Sequence, residues 1–132
     1  MDYLHKNWVF HGRLTPSTIM LGRQIWVKLI DYGSVMLEDE DGLADFRAKN
    51  GKYVAPEARA DLQMTPTRYM DTYAFGKIVK EMAARSGLDE NLRAAQRDGF
   101  EAIASNCCRG QAWVRPTWQQ VMSQIMDLRV RV

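Results

Sequence analysis

The sequence predicts a mainly α-helical fold that carries one small β-hairpin. Three observations support this prediction: two short apolar runs separated by a turn signal, a long polar stretch after them, and three later segments in which apolar residues recur with helical spacing. The strands are therefore expected near the start of the chain and the helices in its second half.

The hairpin is predicted from two apolar runs. Residues 19–21 form the first run, and residues 25–30 form the second. In the second run Ile25, Val27 and Leu29 alternate with the other three residues and give a strand one wholly apolar face. The pair Gly22-Arg23 between them is typical of a tight turn. We therefore expect two antiparallel strands.

A long polar stretch, residues 31–67, has no apolar periodicity and is interrupted by glycines and prolines. Structureless segments of more than about 12 to 15 residues are uncommon in compact domains and usually carry a function. The acidic run at residues 38–41 is interpreted as a solvated surface. We therefore expect a long functional loop.

Apolar residues recur at positions i, i+3, i+4 and i+7 in three segments after this stretch. The three sets are Phe75, Ile78, Val79 and Met82; Phe100, Ile103, Ala104 and Cys107; and Trp118, Val121, Met122 and Ile125. The first helix is predicted to begin near Asp71, and Thr117 with Gln120 forms a capping-box pattern at the start of the last. The tail, residues 128–132, is expected to fray.

Composition limits the kinds of protein that this chain can be. Its 132 residues suit one domain, residues 1–132, with the 46% hydrophobic and 26% charged residues of a globular chain. A net charge of +2 does not favour nucleic acid as a partner. Because no apolar run reaches the roughly 18 residues of a membrane span and the two cysteines are adjacent, we expect no membrane insertion, no disulfide framework and a cytoplasmic location.

Five short motifs occur in order along the chain. They are His11-Gly12-Arg13-Leu14, Asp31-Tyr32-Gly33, Ala55-Pro56-Glu57, the segment 71–76, and Arg115-Pro116-Thr117. Together they resemble the catalytic loop, the Asp-Phe-Gly and Ala-Pro-Glu triplets and the later landmarks of the protein kinase C-lobe. The resemblance covers most of the chain and is weakest over residues 87–99.

The resemblance implies a kinase-like C-lobe with an activation-type segment over residues 31–57 and a helical part over residues 71–132. No Gly-rich phosphate loop, strand lysine or partnering glutamate precedes the catalytic loop in this sequence. The N-lobe is therefore expected to be absent from this chain. The first two motifs are also similar to those of the kinase-homology region of membrane guanylate cyclases.

The resemblance also implies structural roles for particular residues. Glu57 and Arg115 match an ion pair that ties the activation-type segment to the last helices. Asp71 matches the aspartate that accepts hydrogen bonds from the catalytic-loop backbone. His11 and Tyr32, the latter followed by Gly33, match members of a regulatory hydrophobic spine.

Several positions depart from the chemistry that phosphoryl transfer requires. Arg13 stands where the family has its catalytic aspartate, and a guanidinium cannot accept a proton. Thr15 and Thr18 replace the catalytic-loop lysine and the magnesium-binding asparagine. Asp31 alone remains as a candidate ligand for Mg²⁺ and nucleotide, and one carboxylate makes a poor magnesium site. Mg-ATP binding is therefore expected only together with an N-lobe.

We interpret the chain as a catalytically inactive kinase-like module, a pseudokinase that acts as a binding or regulatory scaffold. The alternative is a divergent protein kinase, serine/threonine- or tyrosine-specific, whose N-lobe lies outside this chain. A third interpretation is a helical interaction domain that only shares the order of the motifs. Exposure of Ile19, Met20 and Leu21 on the surface that faces an N-lobe predicts a protein partner or a homodimer there.

Overall fold

Six α-helices and two strands make up the described part of the chain, which comprises residues 1–24, 26–31, 40–85 and 94–130 of the computed structural model. They are α1 (Asp2–Lys6), β1 (Ile19–Leu21), β2 (Val27–Leu29), α2 (Glu40–Lys49), α3 (Pro56–Ala60), α4 (Arg68–Arg85), α5 (Ala94–Cys107) and α6 (Trp118–Val130). Single 3₁₀ turns, Pro16–Thr18 and Ala112–Val114, precede β1 and α6. This order confirms the predicted mainly helical fold with one hairpin.

β1 and β2 form the predicted antiparallel hairpin. The Gly22 amide donates a hydrogen bond of 2.8 Å to the Trp26 carbonyl and closes the turn. The pair Ile19 and Leu29 packs on the core, whereas the tip of the hairpin is exposed. β1 spans the three residues of the first predicted run, whereas β2 is three residues long and shorter than the predicted run of residues 25–30, of which Ile25 lies outside the described residues.

The polar stretch after the hairpin was predicted to be a structureless loop, and this prediction is wrong, because it contains α2 and α3. The inward side of α2 includes Phe46 and Arg47, and Arg47 is only 2% exposed. A charged residue at an inward position removes the apolar stripe by which a helix is predicted. Tyr32 and Gly33 lie outside the described residues, as does the start of the acidic run.

α4 is the central helix of the fold. Met70 and Tyr73 pack against the segment around α3, and Ala74 and Ile78 pack against the loop that precedes the hairpin. Phe75 reaches the cluster formed by α5 and α6. Every apolar cluster of the described core therefore includes a side chain of α4.

Close approach of α4 and α5 depends on Gly76. A Cβ atom at this position would lie 2.7 Å from both the Cβ atom of Cys107 and the Sγ atom of Cys108, and 2.9 Å from the carbonyl oxygen of Ala104. Such distances are shorter than van der Waals contact, so a side chain here would push α5 away. The glycine thus fixes the spacing of the two helices.

The start and the end of α4 differ from the prediction. The helix begins at Arg68, one turn before Asp71. Met82, predicted to lie on the apolar face, is 64% exposed, because the buried positions of α4 end at Ile78. The last two turns therefore lie at the margin of the core.

α6 begins with the predicted capping box. The Thr117 amide donates to the Gln120 side chain at 2.8 Å, and the Gln120 amide donates to the Thr117 hydroxyl at 3.3 Å. Met122 was predicted to be buried but is 41% exposed, since the buried stripe of the helix follows Val121. The tail does not fray at Leu128, which packs on that stripe. No helix within the described ranges is both long and apolar enough to cross a bilayer.

Candidate functional site

The catalytic-loop motif is attached to the first turn of α4 through Asp71, which is 1% exposed. One carboxyl oxygen of Asp71 accepts a hydrogen bond from the His11 amide at 2.8 Å, and the other accepts one from the Gly12 amide at 2.9 Å. The His5 ring contributes a third hydrogen bond, from Nε2, at 3.0 Å. Asp71 therefore joins α1, the loop and α4.

The His11 ring links the loop to the end of the hairpin and is fully buried. Its Nδ1 atom accepts a hydrogen bond from the Arg13 amide at 3.1 Å, and its Nε2 atom lies 2.7 Å from the Ile30 carbonyl oxygen. Only the neutral tautomer with hydrogen on Nε2 satisfies both contacts. Ile30 also donates its amide to the Thr18 carbonyl at 3.0 Å, so the residue before Asp31 is held from two sides.

Thr15 and Thr18 form hydrogen bonds within the loop. They stand where the resemblance to protein kinases places the catalytic-loop lysine and the magnesium-binding asparagine. The Thr18 hydroxyl accepts from the Thr15 amide at 3.0 Å and donates toward the carbonyls of Thr15 and Arg13 at 3.0 and 3.3 Å. The Thr15 hydroxyl lies 2.8 Å from that of Ser17. Both threonines are at most 5% exposed. They stabilise the turn and present no oxygen to a ligand outside it.

Arg13 is directed at the activation-type segment. Its guanidinium carbon lies 5.8 Å from the centre of the Phe46 ring on α2, within the range of a cation–π contact. α2 also holds Arg47, which donates to the Leu62 carbonyl at 2.9 Å. Burial lowers the pKa of Arg47, and the nearby Asp61 carboxylate opposes this effect.

α2 closes the space between the catalytic loop and α4. A cavity of about 10 Å³, lined by Gly12, Leu14, Phe46 and Asp71 among others, remains between them. Such a volume holds about one water molecule. Phe46 and Arg47 of α2 are therefore packed closely against the loop and α4.

Asp31 is exposed, and its backbone is left-handed, with φ of 63°. Aspartate tolerates this conformation better than most residues. Within the described residues no group of three or more histidine, cysteine or acidic side chains is placed to hold a metal ion. Because Thr18 is turned into the loop, the asparagine position supplies no second ligand beside Asp31, and within the described residues this one carboxylate does not fit a Mg-ATP site.

The two cysteines are not suited to nucleophilic chemistry. Cys107 and Cys108 are free thiols. Burial raises the pKa of the Cys107 thiol to about 12. Burial also raises the pKa of the Cys108 thiol. A thiol rather than a thiolate is therefore present at neutral pH, and the thiol is the less reactive form.

Glu57 and Arg115, predicted as an ion pair, are brought together with bidentate geometry at 2.6 and 2.8 Å. The other donors of the guanidinium reach the carbonyls of Arg109, Gly110 and Tyr69 at 2.8 to 3.1 Å. All five N–H groups of a buried arginine are thus satisfied. The pair joins α3 to the segment before α6.

Burial raises the pKa of Glu57, but the hydrogen bonds from Arg115 and the positive charges around it outweigh burial and lower the pKa below 4.5. A carboxylate whose pKa is lowered in the folded state stabilises that state above its unfolded-state pKa. The contribution is lost as the pH falls through the folded-state pKa.

Sequence reasoning did not identify three residues of this site. Phe46 and Arg47 lay in a segment without apolar periodicity, and His5 meets Asp71 across 66 positions of sequence. An aromatic residue beside a basic one in a polar stretch was the only signal for α2. Tyr32 and Gly33, which were predicted as site residues, lie outside the part of the chain that the structure describes.

The chain is similar to known proteins along its length. The family profile of the protein kinase domain matches residues 1–128. A probable serine/threonine-protein kinase of Dictyostelium discoideum is 23% identical over 100% of the chain, and an inactive leucine-rich repeat receptor-like serine/threonine-protein kinase of Arabidopsis thaliana is 28% identical over 96%. A receptor-type guanylate cyclase of Caenorhabditis elegans is 30% identical over 97%. The chain spans 35%, 24% and 12% of these three proteins.

Replacement of Asp71 by asparagine is expected to destabilise the fold by about 2 to 4 kcal/mol. Both carboxyl oxygens accept from backbone amides, so either orientation of the new amide places its NH₂ group against a donor. Urea unfolding measures the loss. The matched control is Asp45→Asn, which removes an exposed ion pair with Lys49 and should change stability by less than about 1 kcal/mol. Equal effects of the two changes would contradict the role given to Asp71.

Glu57→Gln is expected to lower the free energy of unfolding at pH 7 by about 2 to 3 kcal/mol, because it leaves the buried Arg115 without its counter-charge. The difference from the wild type should begin to shrink as the pH falls below 4.5, the ordinary pKa of the carboxyl group, and should be lost once the pH passes below the lowered pKa of the folded state, where the wild-type carboxylate becomes protonated. Urea unfolding over a series of pH values measures both effects. Glu101→Gln, at an exposed position of α5, is the control. A difference that stays constant with pH would refute the lowered pKa.

Proposed function

Because the chain belongs to the protein kinase superfamily, with the domain profile matching residues 1–128, we propose that it is a catalytically inactive member that acts by binding a protein partner. The observation that carries the proposal is Arg13, a residue without proton-accepting capacity at the position of the catalytic aspartate. Its guanidinium carbon lies 5.8 Å from the centre of the Phe46 ring on α2.

The remainder of the catalytic loop supports this proposal. A kinase needs a base for the substrate hydroxyl and at least two groups that hold Mg²⁺ against the phosphates. Here the Thr18 hydroxyl forms hydrogen bonds within the turn, and Phe46 of α2 lies against the Arg13 guanidinium. The hydrogen bonds of Asp71 and the ion pair of Arg115, which keep the lobe in shape, are complete. The scaffold is retained while the reacting groups are replaced, as expected of a binding module.

One observation favours the alternative of a divergent kinase. Asp31 is exposed and held close to the catalytic loop through Ile30, so a nucleotide delivered by an N-lobe outside this chain would meet a carboxylate. In that case a base must come from another residue, because Arg13 stays protonated. The two proposals therefore differ in whether phosphate is transferred.

A phosphate-transfer assay on the full chain separates the two. With radiolabelled ATP, Mg²⁺ or Mn²⁺, and casein and a Glu-Tyr copolymer as substrates, we expect no incorporation above that of a heat-denatured sample. We also expect no thermal stabilisation by Mg-ATP, whereas ligand at 100 times its Kd would add about 2.7 kcal/mol. Transfer that Asp31→Asn abolishes would overturn the proposal and establish the divergent kinase.

The hairpin tip provides a surface for such a partner. Met20, Leu21, Trp26 and Val27 are 54 to 77% exposed; Leu21 is paired with Val27 across the hairpin, and Met20 and Trp26 are the residues that precede them in the chain. Adjacent exposed apolar side chains are typical of interaction surfaces. We therefore place a protein partner or a second copy of the chain at this tip.

Association through the tip is tested by light scattering over a range of concentrations. Self-association of the wild type that Leu21→Lys weakens would support a homodimer, because a charge would be buried at the contact. The control Lys28→Glu changes charge on the same hairpin without removing apolar area. A wild-type chain that remains monomeric at all concentrations would exclude the homodimer and leave a different protein as the partner.

A further inference from the structure

Trp8 combines two features that do not stabilise the fold of this chain. It follows α1 with a left-handed backbone, φ of 58°, a conformation that glycine adopts freely and that is strained for a bulky side chain. Its indole is 84% exposed, the highest value among the exposed large apolar residues. A strained position that presents an aromatic ring to solvent points to a role in recognition.

The ring of Trp8 forms one wall of a surface groove of about 290 Å³ between α1 and the first turns of α4 and α6. Trp8 lies 6.4 Å from Phe10, and His5 lies 5.5 Å from Phe10 and 6.3 Å from Trp118, all edge to face. Trp118 in turn packs on Phe75 at 4.8 Å. Apart from Trp8, the aromatic wall is therefore held by the core, and the groove is largely formed in advance.

The charged residues of this groove leave one cation in excess. Lys6 is neutralised by Asp2 at 2.7 Å, and the His5 ring is bonded to Asp71. The Arg68 guanidinium lies 4.8 Å from the centre of the Tyr69 ring and donates to the Tyr69 hydroxyl at 2.9 Å. No carboxylate in the described ranges forms an ion pair with Arg68. The arginine is thus positioned by its neighbour and available to an anion.

We propose that this groove, the Trp8 groove, binds an acidic linear peptide of a protein partner. An apolar side chain of the peptide would lie between the indoles of Trp8 and Trp118, and a carboxylate would pair with Arg68. Tryptophan and arginine are the residues that most often dominate binding energy at protein interfaces. A basic peptide would meet an uncompensated cation. A nucleic-acid strand needs several cations along its backbone, whereas the groove has one in excess.

The inference deepens the binding role proposed above and rests on it. It is tested by fluorescence anisotropy of the full chain with labelled ten-residue peptides, in which a central Leu-Pro pair is flanked by aspartates. The controls are the same peptide flanked by lysines and a ten-residue oligouridylate. We expect the acidic peptide to bind at least about tenfold more tightly than either control, and less tightly as salt increases.

Two variants locate the binding. Trp8→Gly and Arg68→Glu should each weaken binding of the acidic peptide by at least about tenfold. Trp113→Ala, which removes an equally large ring that is 71% exposed but does not line the groove, should leave it unchanged. Because glycine relieves the left-handed strain, Trp8→Gly should unfold at the same temperature as the wild type or higher. Loss of binding in that variant then cannot result from unfolding.

Several results would overturn the inference. They are equal binding of the acidic and lysine-flanked peptides, preference for the oligouridylate, absence of binding, or full binding by both groove variants. These outcomes are separate from those of the phosphate-transfer assay. An inactive chain that binds no peptide would refute the groove alone, and an active chain that binds the peptide would refute the inactive assignment alone.

Discussion

The carboxyl group of Asp71 is the interaction on which the site depends. It is buried at the start of the central helix and accepts hydrogen bonds from two successive amides of the catalytic loop and from the His5 ring. Hydrogen bonds to a buried charged acceptor are among the stronger ones in proteins, and leaving them unmade is costly. The loop therefore keeps one conformation, and Gly12, with φ of 74°, provides the backbone turn that brings both amides to the carboxylate.

In the proposed inactive module, this fixed loop explains how the lobe can keep its fold with other side chains at the reacting positions. The side chains of Arg13 and Thr18 take no part in this anchor, and the Thr18 hydroxyl instead stabilises the turn that follows it. The bidentate pair of Glu57 and Arg115 acts in the same way at the other end of the activation-type segment. The residues that hold the architecture are therefore separate from Arg13, on which the proposed inactivity rests.

Sequence patterns predicted the elements whose stability is local. The hairpin follows from its two apolar runs and turn, and the start of α6 follows from the Thr117 and Gln120 pair. The pattern did not predict α2, because Arg47 occupies an inward position where distant partners, the carbonyl of Leu62 and the carboxylate of Asp61, stabilise its charge. Contacts of this kind depend on the assembled fold. Likewise, no local sequence pattern indicates that His5 bonds to Asp71 or which carbonyls accept the hydrogen bonds of Arg115.

The proposed inactivity depends on the guanidinium of Arg13 in place of a proton acceptor. The most direct test is a crystal structure of the full chain grown with Mg²⁺ and a non-hydrolysable ATP analogue. We predict that Arg13 remains against the Phe46 ring, 5.8 Å from its centre in the present structure, and that no carboxylate lies within hydrogen-bond distance of the position that a substrate hydroxyl would occupy. A bound triphosphate on Asp31, with Arg13 displaced into solvent and a carboxylate in its place, would contradict the account.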